Sequence, residues 1–263
     1  MRVLARSSPE DKQLLVETLN NHDDIVGVTG DGANNGPALK TANVGFSMGV
    51  TGTEIAKEAS DIILMADNFL SIIKAIMWAR CVNDSVRKFL QFQITTTITV
   101  VIITFATALA SSEEEGALSA VQLLWINLIM DTFAALALAT DPASPVLLDR
   151  KPDQRTQPLF TVDMLKQIFG QSMYQIVVIL ISHFLGTQIL GFDHVDDSTV
   201  QKRSDAVTRT LVFNAFVFSQ ICNSLNSRRL DRKLNVFEDM LKNWYFIAIT
   251  SIGSSLLIGV YRI

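Results

Sequence analysis

The chain has 263 residues and a formal net charge of -4, and 49% of its residues are hydrophobic while only 18% are charged. Soluble domains usually carry about 25% charged residues, so this composition and a mean hydropathy of +0.30 indicate a membrane protein. The small net charge and the lack of a basic, aromatic-interleaved patch argue against a nucleic-acid partner, and two cysteines at Cys81 and Cys222 exclude a disulfide framework.

Residues 1–80 alternate short apolar runs with helical segments. Ser8, Pro9 and Asp11 form a start signal that predicts a first helix beginning near Pro9. The alternation predicts a parallel, Rossmann-like sheet of which only part is present. The remaining predicted elements are strands at 25–28, 44–48 and 62–65 and helices at 37–42 and 53–59.

The stretch Thr29–Pro37 follows the first of these strands directly. Its glycines, Gly30 and Gly32 among them, allow the backbone to approach a phosphate closely. Asp31 supplies a hard oxygen ligand suited to Mg²⁺ at the carboxyl end of a strand, where α/β sheets bind their ligands. A phosphoryl site is the functional interpretation, and an ordinary Gly/Asn turn is its alternative.

From residue 81 onward the sequence predicts a stalk and a bundle of transmembrane helices. Apolar stretches long enough to cross a hydrocarbon core of about 30 Å alternate with charged loops. Basic residues lie in every second loop, which places residues 1–88 in the cytosol by the positive-inside rule. The five predicted spans are 89–110, 118–140, 165–190, 208–225 and 244–260.

The second predicted span carries Asn127 and Asp131 inside it. They are four residues apart, so they share one face of a helix. An intramembrane carboxylate costs several kcal/mol unless it is paired or metal-bound. One amide and one carboxylate suit a hard cation such as Ca²⁺, although further ligands are then required. A buried Asp hydrogen-bonded to a neighbouring helix is the alternative.

Amide side chains recur every four residues in the third span, at Gln167, Gln171 and Gln175. We interpret them as polar contacts between helices rather than as an ion path, because amides readily hydrogen-bond across membrane helices. Gln220 and Asn223 in the fourth span leave both interpretations open. His183 is predicted to be a packed side chain, since no His or Cys lies at ligand spacing from it.

These motifs together resemble the P-type ATPases, and among them the calcium pumps of the plasma-membrane and fungal vacuolar type. The stretch Thr29–Pro37 is similar to that family's T-G-D-G-x-N-D-x-P hinge motif, and Ala5–Lys12 is similar to the segment with its phosphate-contacting lysine. Leu124–Thr132 resembles the sixth transmembrane helix of these pumps, and Asn226–Phe237 resembles the loop after the eighth. The resemblance covers essentially the whole chain.

The resemblance implies the carboxyl-terminal half of a haloacid-dehalogenase-like phosphorylation domain in residues 1–80, followed by transmembrane helices five to nine. It also implies a pump that exports Ca²⁺ from the cytosol by way of an aspartyl-phosphate formed from ATP, with most of the ATP site outside this chain. The membrane would be vacuolar or plasma membrane. The implied site residues are Lys12, Asp31 and Asn34 for catalysis, Thr29, Gly30, Gly32 and Asn35 around the phosphate, Asp31 for Mg²⁺, and Asn127 and Asp131 for Ca²⁺.

The sequence departs from the family pattern in two ways: one residue of the hinge motif differs, and the motif with the phosphorylated aspartate does not occur. Asn35 stands where the family has a second aspartate, and no Asp-Lys-Thr-Gly-Thr phosphorylation motif occurs. We therefore expect this polypeptide to be a fragment that is inactive alone. The first span has no carboxylate and Gln220 replaces an acid of the two-site pumps, which resembles the subgroup with one calcium site.

Two other functions remain open at this level. The first alternative is a membrane protein without catalytic activity that binds or regulates a complete pump. An upstream reading frame that encodes the phosphorylation motif would exclude this alternative. The other is a P-type pump for another cation, such as H⁺, Na⁺/K⁺ or Mn²⁺, because Asn127 and Asp131 indicate Ca²⁺ only through the resemblance.

Overall fold

A computed structural model of the chain describes residues 5–110, 118–151, 156–189, 198–230 and 243–260. The loop residues 111–117, 190–197 and 231–242, with their charged clusters, lie outside the described residues. The chain divides into two compact units. The first contains residues 1–80 and 144–157, and the second contains residues 81–143 and 158–263.

A three-stranded parallel sheet organises the first unit, with its strands in the order β1-β2-β3. Its members are β1 Gly27–Gly30, β2 Val44–Met48 and β3 Ile62–Leu64. The short helices α2 Gly36–Thr41 and α3 Glu54–Glu58 connect them, and Phe46 and Leu64 pack with Ile72 in the core of the unit. The prediction of a small parallel sheet is confirmed.

The first strand lies two residues later than the apolar run predicts. Ile25 is 61% exposed, and Val26 is held by Asn43, whose side chain accepts from the Val26 N–H at 2.8 Å. Ladder pairing then begins at Gly27, opposite Val44, and continues to Gly30. The strand therefore runs into the glycine turn itself, because pairing with β2 rather than local hydrophobicity sets its limits.

Helix α1, Pro9–Asn20, begins where the sequence predicts. Ser8 is its N-cap: the Ser8 hydroxyl accepts from the Asp11 N–H at 3.2 Å, and the Asp11 carboxylate accepts from the Ser8 N–H at 2.9 Å. This reciprocal capping box satisfies two backbone donors that the first turn leaves unpaired. The hydrogen bond from the Ser8 N–H lowers the pKa of Asp11.

Helix α4, Leu70–Ala110, is a single helix of 41 residues, where the sequence suggested a stalk followed by a separate span. In the amino-terminal part of α4, which belongs to the first unit, Arg80 donates hydrogen bonds to the short helix α7, Val146–Asp149, and to the residue after it. The Arg80 Nη1 donates to the carbonyl oxygens of Leu147 at 2.6 Å and Arg150 at 2.9 Å. A guanidinium has several donors in fixed geometry, so one side chain satisfies carbonyls at the end of α7.

The second unit is helical. Three helices are long and apolar enough to span a membrane within the described residues: α4, the continuous helix Ala120–Ala139, and α8 Val162–Phe184. The fourth and fifth predicted spans are also helical but are not among these three. Helix α10, Ser198–Ser227, begins ten residues before the predicted start, and α11 covers Trp244–Val260. After α8 comes α9, Gly186–Ile189.

The core of the second unit consists of two apolar clusters. Phe216 of α10 packs with Ile103 and Ile179 in the larger one. Phe246 of α11 packs with Phe92 and Leu138 in the other. Trp125 packs edge-on against Phe213 with ring centroids 5.9 Å apart. The clusters join α4, α8, α10 and α11 to the continuous helix Ala120–Ala139 and so position its polar residues.

Candidate functional site

The glycine turn carries the predicted phosphoryl site at the carboxyl end of β1. A 3-10 turn over Ala33–Asn35 follows the strand and leads into α2. A Cβ on Gly30 would lie only 2.6 Å from the Cβ of Asn35, so the turn closes tightly enough to require glycine. Thr29, Asp31 and Asn34 are exposed at this turn, while Gly30 is buried. Gly32 is partly buried and its missing Cβ leaves room for the Asn34 side chain.

Lys12 and Asn35 meet across 23 residues of sequence. The Lys12 Nζ donates to the Asn35 Oδ1 at 2.8 Å, and both side chains are partly buried. The structure thus brings the predicted lysine to the glycine turn. Because its partner is a neutral amide and not a carboxylate, the ammonium keeps its positive charge available to an anion.

Asp31 presents its carboxylate to solvent. Its backbone oxygen accepts from the Thr53 N–H at 2.8 Å, which fixes the backbone, while no described group bonds the carboxylate itself. Mg²⁺ is bound through one or two carboxylates and keeps several waters. An exposed carboxylate at the glycine turn, without a hydrogen-bond partner among the described residues, fits that requirement.

The second polar site lies inside the continuous helix Ala120–Ala139. Helix α5, Ala120–Trp125, leads into a π-helical turn, Ile126–Met130, and α6 begins at Asp131. Single π turns within α-helices occur frequently at functional sites. Asn127 lies within this turn and Asp131 directly after it, so the irregular backbone and the two predicted cation ligands coincide.

The two predicted cation ligands differ in their surroundings. Asn127 is exposed, whereas Asp131 is half-buried. The Asp131 Oδ2 accepts from the Gln93 Nε2 of α4 at 2.9 Å, and its Oδ1 is buried without a partner. No group of three or more His, Cys, Asp or Glu forms a metal cluster within the described residues. A cation at Asp131 would therefore need amide, carbonyl or water oxygens as well.

A network of amide side chains joins α4, α8 and α10. It confirms the prediction that the three glutamines of α8 make polar contacts between helices. Gln167 accepts from Gln91 at 2.7 Å, Gln175 from Gln220 at 3.0 Å, and Gln171 from Asn226 at 3.3 Å. The two residues left open by the sequence belong to the same network. Gln220 accepts from Thr96 at 2.7 Å and from Asn223 at 3.3 Å, so both residues take part in the polar contacts between helices. His183 contacts Phe184 edge-on at 5.0 Å.

Sequence reasoning missed a charged junction at Asp141, just after α6. The Asp141 carboxylate accepts from Lys88 at 2.6 Å, from Arg228 at 3.2 Å and from Asn243 at 2.9 Å. Burial raises the pKa of Asp141, but Lys88, Asn243 and Arg228 together outweigh it and hold that pKa below its usual value. These four residues join the ends of α6, α10 and α11 to α4. An Asp directly after an apolar helix is the only signal in the sequence.

Comparison with known proteins gives a family. The family described as "Cation transporting ATPase, C-terminus" matches residues 115–262, which is more than half of the chain. A "Calcium-transporting ATPase 2" of Cryptococcus neoformans var. grubii is 62% identical over 260 residues, or 98% of this chain and 18% of the relative.

Two further relatives agree. A "Calcium-transporting ATPase 2" of Saccharomyces cerevisiae is 50% identical over 97% of this chain and 23% of its own length. A human "Plasma membrane calcium-transporting ATPase 4" is 48% identical over 95% of this chain and 20% of its own length. The chain spans about a fifth of the length of these relatives. It belongs to the cation-transporting ATPase family and corresponds to the carboxyl-terminal part of its calcium-transporting members.

Proposed function

We propose that this chain is the carboxyl-terminal part of an ATP-driven pump that exports Ca²⁺ from the cytosol through an aspartyl-phosphate intermediate. The observation that carries the proposal is Asp131, a carboxylate that follows a π turn inside an apolar helix with one oxygen buried and unpartnered. A buried acceptor without a partner costs about 1 to 3 kcal/mol, and more if charged. A transported cation removes that cost while it is bound.

We assign the first unit, on the cytosolic side, as the carboxyl-terminal half of a haloacid-dehalogenase-like phosphorylation domain. Asp31 is the Mg²⁺ ligand, and Mg²⁺ when bound neutralises charge on the phosphoryl group. Lys12 attracts that group as a point charge, held in place by Asn35. Thr29, Gly30, Gly32 and Asn34 form the turn that the phosphoryl group approaches.

The membrane half concerns the substrate ion. Asp131 and Asn127 are Ca²⁺ ligands, and the remaining oxygens come from neighbouring helices and water, because Ca²⁺ takes six to eight oxygen ligands. Gln220 contacts the Thr96 hydroxyl and the amides of Gln175 and Asn223, all of them neutral, and so provides no negative charge for a second Ca²⁺. One Ca²⁺ per cycle is therefore proposed. We assign the pump to the vacuolar or plasma membrane, the second of which the name of the human relative states, with residues 1–88 facing the cytosol.

The test uses a chimaera in which this chain replaces the matching segment of the Cryptococcus relative. Asp131→Asn is expected to abolish ATP-dependent ⁴⁵Ca²⁺ uptake into membrane vesicles, because the charged ligand is removed while the side chain keeps its size. The control is Ser182→Ala: among the described residues, the Ser182 hydroxyl bonds the Val178 carbonyl of its own helix, at 2.8 Å, and no other group. Unchanged uptake in Asp131→Asn would refute the site, and uptake of a different ion in place of Ca²⁺ would reassign the pump.

The chain alone is expected to form no acid-stable phosphoenzyme from labelled ATP, since it contains no Asp-Lys-Thr-Gly-Thr motif. A phosphoenzyme formed by the purified 263-residue chain would contradict this expectation. A regulatory membrane protein without catalytic activity is the alternative that the sequence leaves open. That candidate predicts that the separate chain changes Ca²⁺ uptake by a complete pump in the same membrane.

A further inference from the structure

Gln93 of α4 is the only described side chain that bonds the Asp131 carboxylate. Its Nε2 donates to the Asp131 Oδ2 at 2.9 Å. The other oxygen of each side chain, Gln93 Oε1 and Asp131 Oδ1, is buried and has no hydrogen-bond partner within the part of the chain that the structure describes. The two unpartnered oxygens therefore belong to side chains that are already joined to each other.

What the pair lacks is positive charge or a donor, since both unpartnered atoms are acceptors. Each buried acceptor without a partner costs about 1 to 3 kcal/mol, and a helix inside a bilayer has little water to compensate it. A carboxylate oxygen and an amide oxygen are both hard ligands that Ca²⁺ prefers. A cation bound by both atoms would satisfy both acceptors.

Gln91, two residues earlier on the same helix, shows that burial of a glutamine alone does not make such a site. Its Nε2 donates to Gln167 at 2.7 Å, and its own Oε1 is also unpartnered. Its partner, however, is a neutral amide, so no carboxylate stands beside the free oxygen. Gln91 and Gln93 are thus matched in residue type, helix and bond geometry, and differ in the charge of the partner.

We propose that Gln93 belongs to the Ca²⁺ site, where its N–H fixes the Asp131 carboxylate and its Oε1 is a further oxygen ligand. By bonding Oδ2, Gln93 leaves Oδ1 of Asp131 turned to the ion in a single rotamer. This inference rests on the proposed function, because it takes Asp131 as a Ca²⁺ ligand. It adds a residue on α4 to a site whose two assigned ligands, Asn127 and Asp131, lie on the Ala120–Ala139 helix.

The experiment measures equilibrium ⁴⁵Ca²⁺ binding to the purified chimaera without ATP, and the Ca²⁺ dependence of uptake. Gln93→Met keeps the length of the side chain but removes both polar atoms. It is expected to raise the half-saturating Ca²⁺ concentration about 10- to 100-fold, the range found when groups that orient metal ligands are removed. The maximal rate at saturating Ca²⁺ is expected to change little.

Gln91→Met is the control, and its half-saturating Ca²⁺ concentration is expected to stay within about twofold of the parent. Equal shifts in Gln91→Met and Gln93→Met would overturn the inference, because they would reflect helix packing. Asp131→Asn separates this result from the proposed function. If Asp131→Asn abolishes binding while Gln93→Met leaves it unchanged, only the inference about Gln93 fails; if Asp131→Asn binds normally, both fail.

Gln93→Glu is the second variant and retains the size of the side chain, should Gln93→Met not fold. It places two carboxylates together, and like charges at this distance oppose each other's ionisation unless a cation lies between them. With Ca²⁺ between them both carboxylates are ligands, so the half-saturating Ca²⁺ concentration is expected to stay at or below that of the parent. A half-saturating concentration raised about tenfold or more would overturn the inference, because the new carboxylate would then repel Asp131 without binding the ion.

Discussion

The charged junction at Asp141 gives the sharpest stability prediction. Asp141→Asn removes one negative charge without changing the shape of the side chain, and it leaves Lys88 and Arg228 beside a neutral group. The exposed fractions of the Asp141, Lys88 and Arg228 side chains are 14%, 16% and 9%, so water screens them poorly. Removing one partner of a buried ion pair costs about 3 to 5 kcal/mol, and partial exposure favours the lower end, about 3 kcal/mol.

The assay is unfolding of the 263-residue chain in mixed micelles at pH 7, followed by helical circular dichroism during a titration with dodecyl sulfate. The control is Glu54→Gln, which removes an ion pair with Lys57 of similar length, 2.9 Å, but with Glu54 90% exposed. Solvent-exposed pairs contribute little. We therefore expect Asp141→Asn to lower the free energy of unfolding and Glu54→Gln to leave it nearly unchanged.

The pH dependence gives an independent check on the same carboxylate. The folded pKa of Asp141 lies below its usual value, which for aspartate is about 3.9. The stabilising contribution is therefore fully present above about pH 4 and is lost as the pH falls through the lower folded pKa. The difference between parent and Asp141→Asn is expected to shrink only in strong acid. Equal stability of the two proteins at pH 7 would refute the reasoning.

Two further predictions concern the glycine turn. Gly30→Ala is expected to destabilise the chain by about 1 to 3 kcal/mol, because the new methyl group overpacks against Asn35. Gly170→Ala in α8 is the control and is expected to stabilise the chain by about 0.5 to 1 kcal/mol, since nothing lies within 4 Å of its new methyl group. Thermal unfolding distinguishes the two variants, and equal effects would contradict the packing argument. Asn35→Asp in the chimaera is expected to raise the rate of phosphoenzyme formation severalfold at limiting Mg²⁺, because it adds negative charge near Asp31. A lower rate would mean that neutralising Lys12, 2.8 Å away, is the larger effect.

The sequence alone determined the elements whose signals are local. The capping box at Ser8 and Asp11 involves residues only three apart, so the start of α1 can be predicted from the sequence. The alternation of apolar runs and turns predicted the small parallel sheet, and the period of four in Gln167, Gln171 and Gln175 predicted contacts between helices. The motifs at Thr29–Pro37 and Leu124–Thr132 were specific enough to predict the family.

Tertiary structure decided which side chains meet across long separations. Gln93 and Asp131 are 38 residues apart and Lys88 and Asp141 are 53 apart, and no periodicity links them. The limits of β1 depend on pairing with β2, and no local pattern predicted the π turn before Asp131. These features result from the free energy of many distant contacts made together, which a local pattern does not encode.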